Sequence, residues 1–291
     1  MVLIEVVHFL YDAIRLDEKL LIREFDNLGI NYRLVNAENL AFEFPGTNEV
    51  ATAFIRTVSQ HRTQLLAQMY EVIGGRSINP YASIMIGNNK AITLAILNRL
   101  GIPIPNTVVA LSSESAIKAL GIVGYPAIIK PIHGSWGRLV SLVGSNEDLI
   151  LLTRHRGGSM ENPQYETYLV QEFIRKPGRD IRVTVVGNEA VAAIYRYAVG
   201  DDWRTNTARG GGKAEAVRID PELEDISVKA TRAIGAYYAG VDVVESDGGY
   251  KVLEVNTVPE FKNVQRVTGV NVARRIAELV MDIVKRVDNV Q

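Results

Sequence analysis

Gly240-Val241-Asp242-Val243-Val244 and Tyr250-Lys251-Val252-Leu253-Glu254-Val255-Asn256, joined by Ser246-Asp247-Gly248-Gly249, form the stretch on which the reading of this chain turns. Two apolar, β-rich runs around a Gly-rich polar linker predict an antiparallel hairpin. Alternate side chains of a strand share a face, so Glu254 and Asn256 project together, with Leu253 and Val255 expected toward the core. If Asp242 reaches the same face from the partner strand, oxygen donors converge in the number a protein offers Mg²⁺, which keeps water or phosphate oxygens in its other positions. A lone Glu-x-Asn is far more often the polar end of a surface strand. The rest of the sequence has to decide.

At 291 residues the chain has room for two or three small domains with real cores. Lys and Arg number 32 against 33 Asp and Glu, which excludes bulk affinity for nucleic acid or an anionic membrane, so charged partners must meet local patches. The absence of cysteine excludes disulfides, thiolate zinc sites and a cysteine nucleophile. The opening apolar run is broken by Glu5 and followed by His8, Asp12 and Arg15, so it reads as a buried first strand and not as a signal peptide or span; the protein reads as cytoplasmic.

After that strand, Asp17 is the expected cap of a helix carrying Leu20, Leu21, Phe25 and Leu28 and stopped by Gly29, with a strand following at 31–35. This β-loop-α-β start predicts a small open α/β domain over 1–88. A helix at about 90–100 is closed by Gly101, Ser112 and Ser113 cap another, and 126–131 is a short strand ending in Lys130-Pro131. Residues 89–167 form the second module and 168–291 the third. In the third, 180–198 reads as a hairpin turning at Gly187-Asn188, 200–213 as a polar loop, 221–238 as a helix and 271–287 as an amphipathic helix. The candidate chemistry lies after residue 89.

Lys130 leads into Gly134-Ser135-Trp136-Gly137-Arg138, where glycines let backbone N–H groups fold around phosphate oxygens and a lysine adds a point charge; it fits an ordinary strand-to-strand turn as well. Neither a Walker pattern nor a dinucleotide fingerprint is present. His133 reads as a loop residue. Gln171-Glu172-Phe173-Ile174 has the mixed character of a segment lying along an adenine edge, although periodicity alone makes it a strand. Asp180 could accept from a ribose hydroxyl. Arg182, Arg196, Arg204 and Arg209 bring fixed positive charge suited to phosphate or carboxylate oxygens, each also an ordinary surface ion-pair partner.

Taken in order, Lys90, Ile129-Lys130-Pro131, the 134–137 loop, 171–174, Asp180-Ile181-Arg182, Arg204-Thr205-Asn206, Gly240-Val241-Asp242 and Glu254-Val255-Asn256 resemble the ATP-grasp superfamily, in particular the branch of the ribosomal-protein glutamate ligase RimK. The likeness covers nearly the whole chain. It implies an α/β N-terminal domain followed by two α+β subdomains enclosing ATP, with Lys90 and Lys130 on phosphates, 172–174 at adenine, and Asp242, Glu254 and Asn256 on Mg²⁺, two ions being expected. Many superfamily members continue from the metal asparagine into Pro-Gly. Here the run is Asn256-Thr257-Val258-Pro259-Glu260-Phe261-Lys262, which is similar to the lysine and arginine biosynthesis ligases LysX and ArgX, and closer to the glutamate-using type.

That resemblance implies an ATP-dependent carboxylate–amine ligase. It would join the α-amino group of L-glutamate or L-2-aminoadipate to the C-terminal glutamate side chain of a small acidic amino-group carrier protein through an acyl phosphate. Arg196 and Arg204, with Asn206 beside them, are expected to stabilise the reacting groups, and Thr257, Val258, Glu260 and Phe261 to select the amino acid. The loop at 200–213 is expected to close over the site, and the enzyme to be a homo-oligomer without nucleic-acid or membrane partners. Two rival classes share the motifs: a glutamate ligase acting on a ribosomal protein or a cofactor, and a non-catalytic ATP-binding protein resembling synapsin.

Overall fold

A computed structural model describes residues 6–46, 48–134, 137–159, 166–200, 203–205 and 212–288. The first domain is a four-stranded parallel sheet of order β2-β1-β3-β4, built from β1 (Val7–Tyr11), α1 (Leu16–Leu28), β2 (Tyr32–Asn36), β3 (Thr52–Ile55), α2 (Gln60–Val72) and β4 (Arg76–Ile78), with α3 (Tyr81–Gly87) leading out. The apolar stripe of α1 buries Leu21 and Phe25 against Phe9 and Phe54, and the helix stops at Gly29 in the left-handed region at φ 64°. Its cap is Arg15, not Asp17. Asp17 is fully buried within the first turn, and its carboxylate accepts from the backbone N–H groups of Phe261 and Lys262 at 2.6 and 2.9 Å. The sequence placed the residue at the right helix end, but a partner 244 residues away decides its role.

The central unit follows: α4 (Lys90–Arg99), β5 (Thr107–Ala110), α5 (Ser113–Val123), β6 (Ala127–Pro131), β7 (Ser141–Val143), α6 (Asn146–Ser159) and β8 (Tyr168–Glu172). Its antiparallel sheet has the order β5-β8-β6-β7. β8, expected to open the third module, therefore belongs to the second. Val170 pairs with both Val108 and Ile129, and Tyr168 and Val170 are fully buried in the core beneath α5. Its apolar run suits a strand central in either sheet, so composition alone does not place it.

The C-terminal unit comprises β9 (Arg179–Val186), β10 (Glu189–Tyr197), β11 (Ala214–Ala216), α7 (Pro221–Ala233), β12 (Tyr238–Ser246), β13 (Gly249–Asn256), α8 (Lys262–Thr268) and α9 (Val272–Asp288). Its antiparallel sheet runs β11-β10-β9-β12-β13. α7 starts at the Asp220 cap and ends short of the expected Tyr238, because Gly235 at φ 72° turns the chain into β12. One face of this sheet buries Ile181, Val183 and Val241 with Leu97 of α4 and Leu223 of α7. The other packs Ile194 and Tyr238 with Ile276 and Val280 of α9 and with Phe9, Phe25 and Phe54 of the first domain. The N-terminal domain thus shares a core with the C-terminal unit. Among the described residues no helix is long and apolar enough to cross a membrane.

Candidate active site

The hairpin of β12 and β13 pairs Asp242 with Glu254 and Gly240 with Asn256, and then Val243 with Val252. Leu253 is therefore the extra residue of a β-bulge. Instead of facing the core as simple alternation predicts, it lines a cleft of about 370 Å³ beside Glu254, while Val252 and Val255 are fully buried. Gly240 has to be glycine, since a Cβ there would stand 2.9 Å from Pro259 Cβ and 3.0 Å from Arg182 Nη1.

Asp242 is buried at the cleft wall. It accepts from Arg182 Nε and Nη2, the latter at 3.1 Å, and its Oδ2 lies 3.1 Å from Arg196 Nη2. Burial pushes its carboxyl up, and the guanidinium groups of Arg182 and Arg196 more than offset this and hold it below the usual carboxylate range. Arg196 in turn donates Nε and Nη2 to Asp180, both at 2.8 Å, and Asp180 also accepts from the Thr205 hydroxyl. Arg196 is thus a buried strut between two carboxylates, and Asp180 has both oxygens engaged within the protein. Asn256 donates Nδ2 to Gly240 O at 3.3 Å, which leaves Oδ1 as an acceptor. Two carboxylates and an amide oxygen at adjoining strand positions match the donor chemistry of a hard divalent cation, and Asp242 Oδ1, with one arginine bond, keeps a lone pair for it, whereas Oδ2 meets both Arg182 and Arg196. Among the described residues no cluster of three or more His, Cys, Asp or Glu side chains could hold a metal by itself, so any such site has to recruit Asn256.

Opposite this acidic set stand three lysines. Lys90 donates to Gly134 O, and its ammonium lies 3.9 Å from Glu254. Lys130 donates to Gln171 Oε1 at 2.7 Å, and Gln171 Nε2 is held by Thr107 Oγ1 at 2.9 Å. Lys176 donates to Thr205 Oγ1 at 3.1 Å. Burial pushes the Lys130 ammonium down to about 8, Glu254 partly opposing and the positive charges of Lys90 and Lys176 adding to the shift. Burial likewise lowers Lys176. Closely spaced, partly desolvated ammonium groups beside an oxygen-donor set are suited to a polyphosphate with its cation. Lys176 was not a candidate from sequence. Its only signal there is a position in a Pro-Gly turn just ahead of the strand bearing Asp180.

Gly134, Gly137, Arg138 and Arg204 line the same cleft; Gly134 and Gly137 take φ values of 115° and 64°, which glycine alone adopts freely. Ser135, Trp136, Asn206 and Arg209 lie outside the described residues, as does most of the 200–213 loop. Glu172, Phe173 and Ile174 border a neighbouring depression. Glu172 accepts from Asn106 at 3.0 Å and pairs with Lys251, and Phe173 meets Trp203, a residue of the main cleft, edge-on at 6.0 Å. Thr257, Val258 and Glu260 line the cleft. Phe261 does not. It is fully buried in the shared core, where it anchors the segment and cannot touch a substrate in the cleft. The far wall, which the sequence left out by confining the chemistry to residues after 89, comes from the first domain through Arg15, Thr57, Val58, Gln60 and Thr63.

Residues 87–280 match the RimK-like ATP-grasp domain, and residues 7–86 match the LysX preATP-grasp domain. The α-aminoadipate–LysW ligase LysX of Sulfurisphaera tokodaii is 34% identical, with 95% of this chain and 98% of the relative aligned. The glutamate–LysW ligase ArgX of the same organism is also 34% identical, with the same two coverages. A RimK domain ATP-grasp protein of Sphaerobacter thermophilus superposes with a TM-score of 0.78 at 25% identity, covering 94% of this chain and 98% of that one. The two α+β units facing one another across the lysines and the oxygen donors are the two halves of an ATP-grasp fold. With both of its domains matched and relatives aligned end to end, this chain belongs to the RimK-like ATP-grasp ligases.

Proposed function

We propose that the protein is an ADP-forming ligase joining the α-amino group of L-glutamate or L-2-aminoadipate to the C-terminal glutamate side chain of an acidic LysW-type carrier protein. One observation carries this reading: Asp242, Glu254 and Asn256 border the same cleft as Lys90, Lys130 and Lys176, so cation and polyphosphate sites are contiguous. The carrier's carboxylate takes the γ-phosphoryl group of ATP, ADP leaves, and the free amine of the amino acid displaces phosphate from the acyl phosphate to form the amide. Mg²⁺ on Asp242, Glu254 and Asn256 would neutralise phosphate oxygens and orient them. Lys90, Lys130 and Lys176 place fixed charge around the transferring group, and Arg182 and Arg196 hold Asp242 ionised and aimed. Trp203, Arg204 and Thr205, in the first half of the 200–213 stretch, line the cleft, where water has to be excluded. No protein nucleophile is needed.

The LysX and ArgX of Sulfurisphaera tokodaii are each 34% identical to this chain, so that comparison does not choose the amino acid. The choice falls to the few side chains at the cleft end formed by Thr257, Val258 and Glu260. Incubation of the protein with ATP, Mg²⁺, L-glutamate and an acidic carrier ending in glutamate is expected to release phosphate and to add one glutamyl residue to the carrier's mass. Glu254→Gln should abolish both while leaving the melting temperature within a few degrees. Turnover near wild type in that variant removes the metal assignment; phosphate release without any gain in carrier mass removes the proposed acceptor.

A further inference from the structure

Where the first domain lines the cleft, six charged side chains meet. Arg15 donates Nε and Nη2 to Glu18, each at 3.0 Å, and Nη1 to Glu260 Oε1 at 2.7 Å. Lys262 Nζ stands 3.5 Å from Glu260 Oε2 and 3.9 Å from Asp17. Arg56 lies 3.3 Å from Glu18. The charges balance, three cations against three carboxylates, but the carboxylates are not equivalent. Asp17 and Glu18 are fully buried and held by backbone and arginine, whereas the Glu260 side chain is 40% exposed and, among the described residues, is held by these side-chain ion pairs. Glu18 clamps the Arg15 fork along one edge, so Nη1 is presented to the cleft in a fixed direction without further ordering cost.

We infer that Arg15, assisted by Lys262, is the site that reads the side-chain carboxylate of a dicarboxylic amino-acid substrate, and that Glu260 fills this site as an internal carboxylate until the substrate displaces it. The exchange keeps the local charge balanced, since one carboxylate leaves as another arrives. It places the specificity-determining cation in the first domain. The inference rests on the ligase reading above and names which residue recognises the class of amino acid. It also implies tolerance of chain length: an arginine fork on a helix end meets a carboxylate at the end of a flexible chain, so a charge is demanded more strictly than one methylene.

The test compares L-glutamate with L-glutamine, which is the same shape without the charge, in the wild type, Arg15→Gln and Glu260→Gln, with carrier and ATP saturating. Arg15→Gln is expected to raise the KM for glutamate at least about tenfold, to lower the glutamate-to-glutamine ratio of kcat/KM by a similar factor, and to leave the KM for ATP within about twofold. Glu260→Gln, which removes the internal competitor, should lower the KM for glutamate. An unchanged glutamate-to-glutamine ratio in Arg15→Gln overturns the site, as does a higher KM for glutamate in Glu260→Gln, which would make Glu260 a substrate contact. A wild type that ligates neither amino acid to any carrier overturns the ligase reading itself, an outcome separate from either of these. If Arg15→Gln does not fold, Arg15→Lys serves, with the ratio expected to fall by less than in the glutamine variant; a ratio that does not fall overturns the site.

Discussion

At the scale of single residues, the site is governed by how charges are kept in a small volume. Lys130 is the clearest case, because burial among Lys90 and Lys176 disfavours its proton and brings its pKa to about 8. The unfolded chain keeps that proton up to the ordinary value near 10.5. Between about pH 8 and 10.5 the unfolded state therefore binds more protons than the folded one, and this residue's contribution to stability rises with pH; at neutral pH its charge is a stability cost that a phosphate would relieve. Affinity for the nucleotide is expected to behave in the opposite sense and to weaken above pH 8, by up to about tenfold per pH unit, as the ammonium discharges. Lys130→Arg, which cannot discharge in this range, should flatten that dependence. The measurement is the ATP dissociation constant from pH 6.5 to 9.5 in both proteins. Parallel curves would assign the titration to another group.

At the scale of elements, the sequence showed the hairpin, the α1 stop at Gly29, the Lys130 strand and the amphipathic α9, since each rests on local periodicity or turn chemistry. It missed what depends on partners far along the chain. Leu253 reads as core by alternation, but a bulge re-aims it; β8 reads as a generic apolar strand, and only pairing shows which sheet it completes. The candidate ligands were legible because oxygen donors, lysines and glycines occupy strand ends and turns. Of their partners, Lys176 carried only its place in a Pro-Gly turn, Thr205 stood out only between Arg204 and Asn206, and Arg15 carried no local signal of a site. Asn79 belongs to the same class. Fully buried after β4, it donates Nδ2 to Tyr238 O at 2.8 Å and to Thr257 O at 2.7 Å, and its Oδ1 accepts from the N–H groups of Tyr237 and Tyr238 at 2.7 and 3.1 Å. One side chain thus ties the first domain to the start of β12 and to the carbonyl of Thr257. Asn79→Ala strands four backbone groups, three of them in buried hydrogen bonds, and should cost about 3 kcal/mol. It should also raise the KM for the amino acid more than that for ATP, because Thr257 loses its support. Thermal melts and steady-state kinetics on the same preparation check both; equal rises in the two KM values would make Asn79 a general structural residue.

At the scale of the whole molecule, the first domain is less an appendage than a wall of the cleft fused to the C-terminal unit. Phe9, Phe25 and Phe54 share a core with Phe261, Ile276 and Val280, and the polar side of that junction is organised by Arg56. Arg56 is fully buried, donates Nη1 to Pro259 O at 3.0 Å, stands over the Phe261 ring at 5.8 Å and pairs with the fully buried Glu18. Burial pushes the Glu18 carboxyl up, and Arg15 and Arg56 override it and hold the group below its ordinary value, so the carboxylate stays charged in the folded protein. Removing only Arg56 leaves that charge under-compensated and the Pro259 carbonyl without its donor, for which a loss of about 3–5 kcal/mol is the usual scale. Arg56→Met should therefore lower the denaturation midpoint sharply. Arg56→Met combined with Glu18→Leu should lose less than the sum of the two single variants, because the second substitution removes the orphaned charge. The same double variant frees Arg15 from its clamp, so its stability can recover while discrimination between glutamate and glutamine does not. Urea denaturation of the four proteins, with the glutamate-to-glutamine ratio measured on the folded ones, separates these effects. Strict additivity of the stability losses would mean that Arg56 and Glu18 act independently, and a double variant with wild-type discrimination would mean that the junction holds the domains together without setting the geometry of the cleft.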